Sequence, residues 1–251
     1  EYVITEAGFG ADLGAEKFLD IKCVSAGLAP SAVVVVATIR ALKAHGGVAL
    51  DALDQPNPAA VEKGLGNLGR HLDSADAFNL KPVVAINHFV HDTDEEVDVI
   101  QSFCASRGVP AIVNRGWALG GEGARDLASK VVEVVDRTPA GFTPVYDWSA
   151  PVKDKVHRIA TTIYGAQRVR WDRKAEQDLK RIKRLGLEHL PVCIAKTQSS
   201  LSDDPKGGGL PGHYDIHVRE IEISAGAGFL VPIWGDMLRM PGLPRIPGAT
   251  K

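Results

Sequence analysis

Three short runs of apolar, mostly β-branched residues are spread over the first half of the chain: residues 32–37, 82–87 and 110–114. None of them alternates apolar with polar residues, so each is typical of a parallel strand that is buried on both faces. Segments with apolar residues at helical spacing lie between these runs. This alternation of strands and helices predicts an α/β fold with a parallel sheet.

The helices between the predicted strands carry their own start signals. Asn57 suits an N-cap and Pro58 the first turn, and apolar residues follow on one face at spacings of three and four. Thr93 or Asp94 is expected to cap the next helix. A third helix is predicted over residues 122–136, with its apolar residues inward. The first two helices supply the two connections that three parallel strands require, and the third follows the last strand.

The pattern changes near residue 140. A helix is predicted to begin around Ser149 and Pro151 and to be closed by Gly165, and a second helix is closed near Gly186. Shorter strand-like runs follow, with glycine and proline between them, at residues 191–196, 214–223 and 229–233. We therefore expect part of an α/β domain over residues 1–140 and a smaller α+β domain over residues 141–251.

Composition excludes several classes of protein. The 251 residues carry a net charge of −2 and contain no basic block, so we expect neither nucleic-acid nor membrane binding. The longest apolar run, residues 32–37, falls far short of the roughly 20 residues of a membrane span. Cys23, Cys104 and Cys193 lie far apart among apolar residues, which predicts buried reduced thiols in a cytoplasmic protein.

The glycine-rich segment TEAGFGADLGAEKF, residues 5–18, raises the question of a phosphate-binding loop. Gly8, Gly10 and Gly14 form the spacing G-x-G-x-x-x-G, one residue longer than the dinucleotide fingerprint, and Asp12 would repel a pyrophosphate. The Walker pattern G-x-x-x-x-G-K-[ST] is not present in the sequence. A packing or turn role is one interpretation, and close approach of the backbone to a ligand is the other.

Seven segments together resemble formate–tetrahydrofolate ligase, also called 10-formyltetrahydrofolate synthetase. VATIRALKAHGG, at residues 36–47, is the most specific of them. The resemblance covers essentially the whole chain. The other segments agree in order and lie at residues 5–18, 85–96, 117–124, 191–205, 224–229 and 240–244.

This resemblance implies an enzyme that joins formate to tetrahydrofolate with MgATP, through formyl phosphate. It further implies a P-loop NTPase-like main domain, a homotetramer and activation by a monovalent cation, potassium or ammonium. In the family the phosphate loop and a catalytic arginine lie upstream of the segments matched here. We therefore expect a C-terminal portion trimmed at both ends, dependent on the N-terminal part of the same enzyme and inactive alone. The alternative is a non-catalytic folate-binding or assembly module from a truncated paralogue.

Phe89 and Trp117 follow the second and third predicted strands. Loops at the carboxyl ends of neighbouring parallel strands are where α/β proteins bind ligands, and two aromatic rings there suit a flat ring. The resemblance implies that this pair forms the folate clamp. The alternative is that both are ordinary core aromatics.

The resemblance also implies a substrate loop that lines the formyl phosphate and folate site, formed by Gly8, Phe9, Gly10, Ala11 and Asp12. Residues expected near the nucleotide are Asn87, Lys196, Thr197 and Ser200. Asn87 suits a purine edge but also suits a helix-entry turn, and the serine-rich segment is equally explained by local backbone hydrogen bonds.

Two other groups of polar residues have alternative interpretations. Arg40 and Lys43 are expected to be structural ion-pair partners, with phosphate binding as the alternative. Histidines and carboxylates also cluster, but neither HExxH nor CxxC is present, and we predict no metal site. The clusters are His213, Asp215 and His217, and His88, His91, Asp92 and Asp94.

Overall fold

Two three-stranded sheets organise the protein. The computed structural model describes residues 2–139, 141–205 and 212–237, so the segment at residues 240–244 lies outside the described residues. In the first sheet, strands β1 (Ala32–Ala37), β2 (Lys81–Asn87) and β3 (Ala111–Asn114) are parallel and adjacent in that order. In the second, β4 (Arg168–Trp171) is parallel to β5 (Asp215–Ser224), and β5 is antiparallel to β6 (Phe229–Trp234). The predicted α/β class with a parallel sheet is confirmed.

Helices connect the strands and flank the sheets. The segments Ala11–Ala15, Phe18–Cys23 and Ile159–Tyr164 are π-helical, and Leu50–Ala52 and Gly120–Ala124 are 3₁₀ turns. Among the described residues, no helix has the length and apolar character that crossing a membrane requires. The α-helices are α1 (Val24–Ala26), α2 (Ile39–His45), α3 (Pro58–Ala77), α4 (Asp94–Ser106), α5 (Gly116–Leu119), α6 (Arg125–Arg137), α7 (Val152–Arg158) and α8 (Arg173–Arg184).

The predicted helix starts agree with the structure except at α6. The side chain of Asn57 accepts a hydrogen bond from the Ala60 amide, and Pro58 opens α3. Thr93 caps α4 in a capping box with Glu96. Helix α6 begins at Arg125 rather than at residue 122, because Gly120–Ala124 forms a 3₁₀ turn first.

The first sheet has one well-covered face. Val35, Val84 and Ile86 pack in one cluster with apolar residues of α2, α3 and α4. Helix α6 contacts all three strands. Strand β1 nevertheless departs from the predicted burial on both faces, because Val36 is 64% exposed and Val34 is also exposed. The described residues leave this part of the sheet uncovered.

The second sheet differs from the sequence-based expectation in two places. Strand β4 was not predicted, since its four residues alternate arginine with apolar side chains and give only a weak strand signal. The run at residues 191–196 was predicted as a strand but forms only isolated bridges, which pair Val192 with Leu230 and Ala195 with Ile233 of β6. It lies beside β6 without becoming a continuous strand.

The larger hydrophobic cluster crosses the predicted domain boundary. Leu19 and Phe78 share it with Tyr164, Ile216 and Trp234. A boundary between two domains near residue 140 therefore stays a prediction. Cys23 and Cys104 are buried free thiols, as the sequence predicts, whereas the free thiol of Cys193 is only partly buried.

Candidate functional site

The carboxyl ends of β2 and β3 lie side by side. Asn87 and Asn114, the last residues of these strands, are direct partners in the parallel register. The His88 amide donates to the Asn114 carbonyl over 3.0 Å, so the pairing continues one residue past the strand. The loops that carry Phe89 and Trp117 therefore start from adjacent points.

The rings of Phe89 and Trp117 meet above this edge. Their centroids are 6.1 Å apart with a 55° angle between the planes, which is a favourable tilted contact. Trp117 is 70% exposed, so it is not a core residue. A planar ring stacked between two parallel rings would need about 7 Å between them. The two side chains are brought together as predicted, in a geometry that must open slightly to admit a flat ligand.

Local hydrogen bonds fix the two loops. The Phe89 amide donates to the Asp92 carboxylate over 2.8 Å, and the Gly116 amide donates to the Asn114 side-chain oxygen over 3.0 Å. A Cβ atom at Gly123 would lie 2.3 Å from the Arg115 carbonyl oxygen, so only glycine fits beneath Trp117's helix. Asn114 was missed as a candidate, although its place at a strand end matches that of Asn87.

Asn87 is partly buried at the end of β2. Its side-chain amide makes no hydrogen bond to another residue within the described ranges, whereas Asn114 is engaged with Gly116. A side chain with a donor and an acceptor next to the aromatic pair can pair with a polar ring edge.

The glycine-rich segment doubles back on itself. The Gly10 carbonyl accepts hydrogen bonds from the Leu13 and Gly14 amides, over 3.0 and 2.9 Å. A Cβ atom at Gly14 would lie 1.5 Å from the Gly8 carbonyl oxygen, so glycine is required there. Phe9 has a φ of 60°, which is strained for a bulky residue, and its ring is 87% exposed. The segment presents an aromatic ring and a tightly folded backbone to solvent.

Lys196 is buried and its ammonium group is fully engaged. It donates to the carbonyls of Thr197 and Ser200 over 2.6 and 2.5 Å, and Nζ lies 3.7 Å from Oδ2 of Asp12. Nζ also lies 5.0 Å from the centre of the Tyr164 ring. Burial lowers the pKa of Lys196 to about 8, against the opposing attraction of Asp12. The structure thus joins Lys196 to the glycine-rich segment.

Thr197 and Ser200 form a compact polar turn with their neighbours. The Ser199 amide donates to the Thr197 hydroxyl, and the Ser202 amide donates to the Ser200 hydroxyl over 3.0 Å. The hydroxyls of Ser200 and Ser202 are 2.9 Å apart. The side chains of Thr197 and Ser200 are buried. These bonds fit the interpretation that the serine-rich segment is explained by local hydrogen bonds to the backbone. Contact of Lys196, Thr197 or Ser200 with a nucleotide stays a prediction.

A buried acid pair, which the sequence analysis did not single out, joins Glu16 near the end of the glycine-rich segment to Asp20 one turn later. Glu16 and Asp20 are fully buried, and each has one carboxylate oxygen with no partner among the described residues. Burial raises the pKa of Glu16, and burial together with the Glu16 charge raises the pKa of Asp20 to about 9. The sequence shows that the two acids are four residues apart, but it does not show that both carboxyls are buried.

Four of the other polar candidates, Arg40, Lys43, Asp215 and His217, form ion pairs. Arg40 contacts Asp54, and Lys43 contacts Glu96, so both are ion-pair partners as expected. His217 contacts Asp203, and Asp215 contacts Arg170. Across residues 2–139, 141–205 and 212–237, no group of three or more histidine, cysteine or acidic side chains is arranged to hold a metal ion.

The residues expected at the site thus form two groups. One contains Asn87, Phe89 and Trp117, and the other joins Asp12 to Lys196 and its turn. Within the described part of the chain, the groups share no hydrogen bond, ion pair or ring contact.

Comparison with known proteins identifies close relatives. The family model for formate–tetrahydrofolate ligase matches residues 1–251. The chain is 52% identical over 249 residues to the formate–tetrahydrofolate ligase of Roseobacter denitrificans, and 53% identical over 249 residues to that of Ruegeria sp. strain TM1040. It is 50% identical over 251 residues to that of Limosilactobacillus fermentum. These alignments cover 99–100% of this chain but only 45% of each relative.

Proposed function

The chain belongs to the formate–tetrahydrofolate ligase family, and we propose that it supplies the folate-binding part of an enzyme that joins formate to tetrahydrofolate at the expense of ATP. The chain spans 45% of the length of the relatives it matches. The remainder of such an enzyme supplies the phosphate loop, and this chain alone has no turnover.

One observation carries the proposal. Phe89 and Trp117 come from separate loops, and their rings lie 6.1 Å apart at the carboxyl edge of the parallel sheet. Ligands of open α/β sheets bind outside this edge. The flat pyrimidine part of the tetrahydropterin can stack between the two side chains once their planes turn parallel and separate to about 7 Å. Asn87, beside them, offers a donor and an acceptor to a purine or pterin edge.

The tight fold of the glycine-rich segment supports its assignment as the substrate loop. The loop consists of Gly8, Phe9, Gly10, Ala11 and Asp12. The backbone folds tightly around this loop, so that its N–H groups can come close to a bound ligand. Such groups can meet the oxygens of formyl phosphate. The Asp12 carboxylate faces Lys196 instead of the ligand, which removes the repulsion expected between a carboxylate and a phosphate.

The chemistry then follows from positioning. A formate oxygen attacks the γ-phosphorus of ATP and ADP leaves, which gives formyl phosphate. The folate nitrogen attacks the formyl carbon, and inorganic phosphate and the nitrogen's proton leave. Holding the folate ring between Phe89 and Trp117 places its nitrogen for this step, and the enzyme's contribution is orientation and charge stabilisation.

Several finer assignments belong to the same proposal. The main domain is P-loop NTPase-like, Thr197 and Ser200 lie towards the nucleotide, and the enzyme is a cytoplasmic homo-oligomer of one-carbon metabolism that uses a potassium or ammonium ion. Magnesium accompanies ATP in this family. The described residues offer no set of three metal-ligating side chains, so no magnesium ligand and no reaction step through magnesium is assigned to them.

A chimeric enzyme tests the proposal. This chain replaces the matched 45% of the Roseobacter denitrificans ligase, and formation of 10-formyltetrahydrofolate is assayed with formate, ATP and tetrahydrofolate. We expect turnover that needs all three substrates and none from either part alone. Phe89→Ala in the chimera is expected to lower kcat/KM for tetrahydrofolate at least tenfold, about 1.4 kcal/mol.

The alternative function has its own outcome in this experiment. A chimera that unfolds cooperatively and assembles like the parent enzyme, yet shows no turnover, would favour a non-catalytic folate-binding or assembly module. Binding of tetrahydrofolate by the isolated chain would then separate the folate-binding module from a purely structural one.

A further inference from the structure

Residues 8–14, within the glycine-rich segment, are held in a strained conformation. Phe9 adopts a φ of 60° although its ring is largely exposed and makes no packing that would compensate. Left-handed geometry at a bulky residue costs on the order of 1–3 kcal/mol and persists only where the surroundings enforce it. Something outside the segment must therefore fix it.

Asp12 is the point at which the segment is fixed. Its backbone carbonyl accepts a hydrogen bond from the Tyr164 hydroxyl over 2.8 Å, and its carboxylate lies 3.7 Å from Nζ of Lys196. Lys196 also lies over the Tyr164 ring. Tyr164 and Lys196 belong to distant parts of the chain, so the two contacts bind the segment to the second half of the molecule.

We propose that Lys196 is a positioning residue for the substrate loop. Through its contact with Asp12, Lys196 holds residues 8–14, which include the loop, in the folded conformation. The ammonium group of Lys196 also donates to the backbone carbonyls of Thr197 and Ser200. These two bonds fix the ammonium, so that it cannot follow Asp12 if the loop moves. The role of the loop itself rests on the proposed function, whereas the anchoring does not.

Charge makes this anchor sensitive to pH. The charged groups that act on the Lys196 ammonium are Asp12 and Asp203, which favour its charged form, and Lys17, which opposes it. Burial outweighs the attraction, so the pKa of Lys196 falls to about 8. Above that pH the lysine is neutral, and Asp12 loses its partner.

Lys155 provides a matched control. It is also buried, it also has a pKa lowered to about 8 by burial, and it donates to the carbonyls of Glu188 and Leu190 over 2.7 and 2.9 Å. None of these contacts reaches the glycine-rich segment. Lys155→Met therefore carries the general cost of removing a buried ammonium without touching the anchor.

Hydrogen exchange of the Leu13 and Gly14 amides tests the inference, because both amides donate to Gly10 only in the folded loop. Lys196→Met is expected to lower their protection at least tenfold relative to the amides of β2, and Lys155→Met is expected to change both sets in proportion. Asp12→Asn, which keeps the size of the side chain, should match Lys196→Met, and the double variant should add nothing further. Since Asp12→Asn leaves the lysine in place, it tests the anchor even if Lys196→Met does not fold.

A pH series separates positioning from a general structural role. After correction for intrinsic exchange, the unmodified chain should lose protection of Leu13 and Gly14 with a midpoint near pH 8, as Lys155→Met should, while Asp12→Asn should show no such transition. Equal protection in Asp12→Asn and the unmodified chain, or a transition that survives in Asp12→Asn, would overturn the inference. No substrate is needed, so a failure of the anchor is distinguishable from a failure of the proposed function.

Discussion

The rings of Phe89 and Trp117 lie 6.1 Å apart and 55° from parallel, although each belongs to a separate loop. The register of the sheet explains this, because Asn87 and Asn114 end neighbouring parallel strands at the same level. The contact covers only part of the indole, which stays 70% exposed. A ligand that stacks between the rings must separate them, and this has an observable consequence.

Tetrahydrofolate is expected to protect Trp117 from collisional quenching. Of the four tryptophans, Trp117 is the exposed one, while Trp234 is buried and Trp148 and Trp171 are partly buried. Acrylamide should therefore quench mainly Trp117 in the free protein. We expect saturating tetrahydrofolate to remove most of this quenching, and Trp117→Phe to lack the effect. Unchanged quenching in the presence of bound tetrahydrofolate would place the ligand elsewhere.

The buried ion pair of Lys43 and Glu96 is expected to matter for stability. Nζ of Lys43 lies 3.0 Å from Oε1 of Glu96, and both side chains are excluded from solvent. Lys43→Met leaves the Glu96 carboxylate buried without a countercharge, although the Asn57 and Thr93 amides still donate to it. This should cost roughly 3–5 kcal/mol of unfolding free energy. Urea denaturation measures this loss.

Arg40→Met is the control for that prediction. Its ion pair with Asp54 is exposed on both sides, so its removal should cost less than about 1 kcal/mol. Equal losses in the two variants would contradict the assignment of Lys43 as a structural residue.

The buried acid pair of Glu16 and Asp20 should make the unfolding free energy fall as pH rises. The pKa of Asp20 is raised to about 9 from an unfolded value of 3.8, so between these values the folded chain holds a proton that the unfolded chain releases. The stabilisation that this proton gives is full below about pH 4 and lost as pH rises towards 9. Asp20→Asn mimics the protonated acid and keeps the acceptor for the Val145 amide.

Urea denaturation at pH 4 and pH 8 measures this difference. The unfolding free energy of Asp20→Asn should match that of the unmodified chain at pH 4 and exceed it at pH 8 by at least about 1.4 kcal/mol, the free energy of one pH unit for one proton. Asp98→Asn, at an exposed position on α4, serves as control and should show no such gain. A constant difference between Asp20→Asn and the unmodified chain at both pH values would argue against a retained proton.

Gly14 and Gly8 offer a paired test of the folded loop. A Cβ atom at Gly14 would collide with the Gly8 carbonyl, whereas a Cβ atom at Gly8 meets nothing within 4 Å. Gly14→Ala should therefore open the segment and speed its cleavage by a nonspecific protease at least tenfold, while Gly8→Ala should leave cleavage within about twofold of the unmodified chain. Similar cleavage of both variants would mean that the segment is not folded back in solution.

The strand–helix alternation and the helix caps could be predicted from sequence because their signals are local. β-Branched runs mark β1 to β3, and Asn57 and Thr93 act on amides three residues away. The meeting of Phe89 and Trp117 was also predictable, since parallel strands bring their carboxyl ends to one edge. The family resemblance, confirmed over residues 1–251, indicated which aromatic residues to choose.

Contacts between distant segments could not be predicted in this way. Nothing near Asp12 indicates that Lys196 lies beside it, because the contact depends on packing of Tyr164 and the turn at Thr197. Asp20 likewise lies against a remote segment, where its carboxylate accepts a hydrogen bond from the Val145 amide. Strand β4 was missed because its neighbour β5 decides its conformation more than its own arginine-rich sequence does.

Titration of the chain with tetrahydrofolate, followed by tryptophan fluorescence, tests the folate clamp most directly. We predict saturable quenching that Phe89→Ala weakens at least tenfold in affinity, about 1.4 kcal/mol. Phe142→Ala, which removes a partly buried ring stacked on Phe78 away from the sheet edge, is the control and should leave the affinity unchanged. Equal affinity in the Phe89→Ala variant and the unmodified chain, or no saturable response from a cooperatively folded sample, would contradict the assignment of Phe89 and Trp117 as the folate site of this chain.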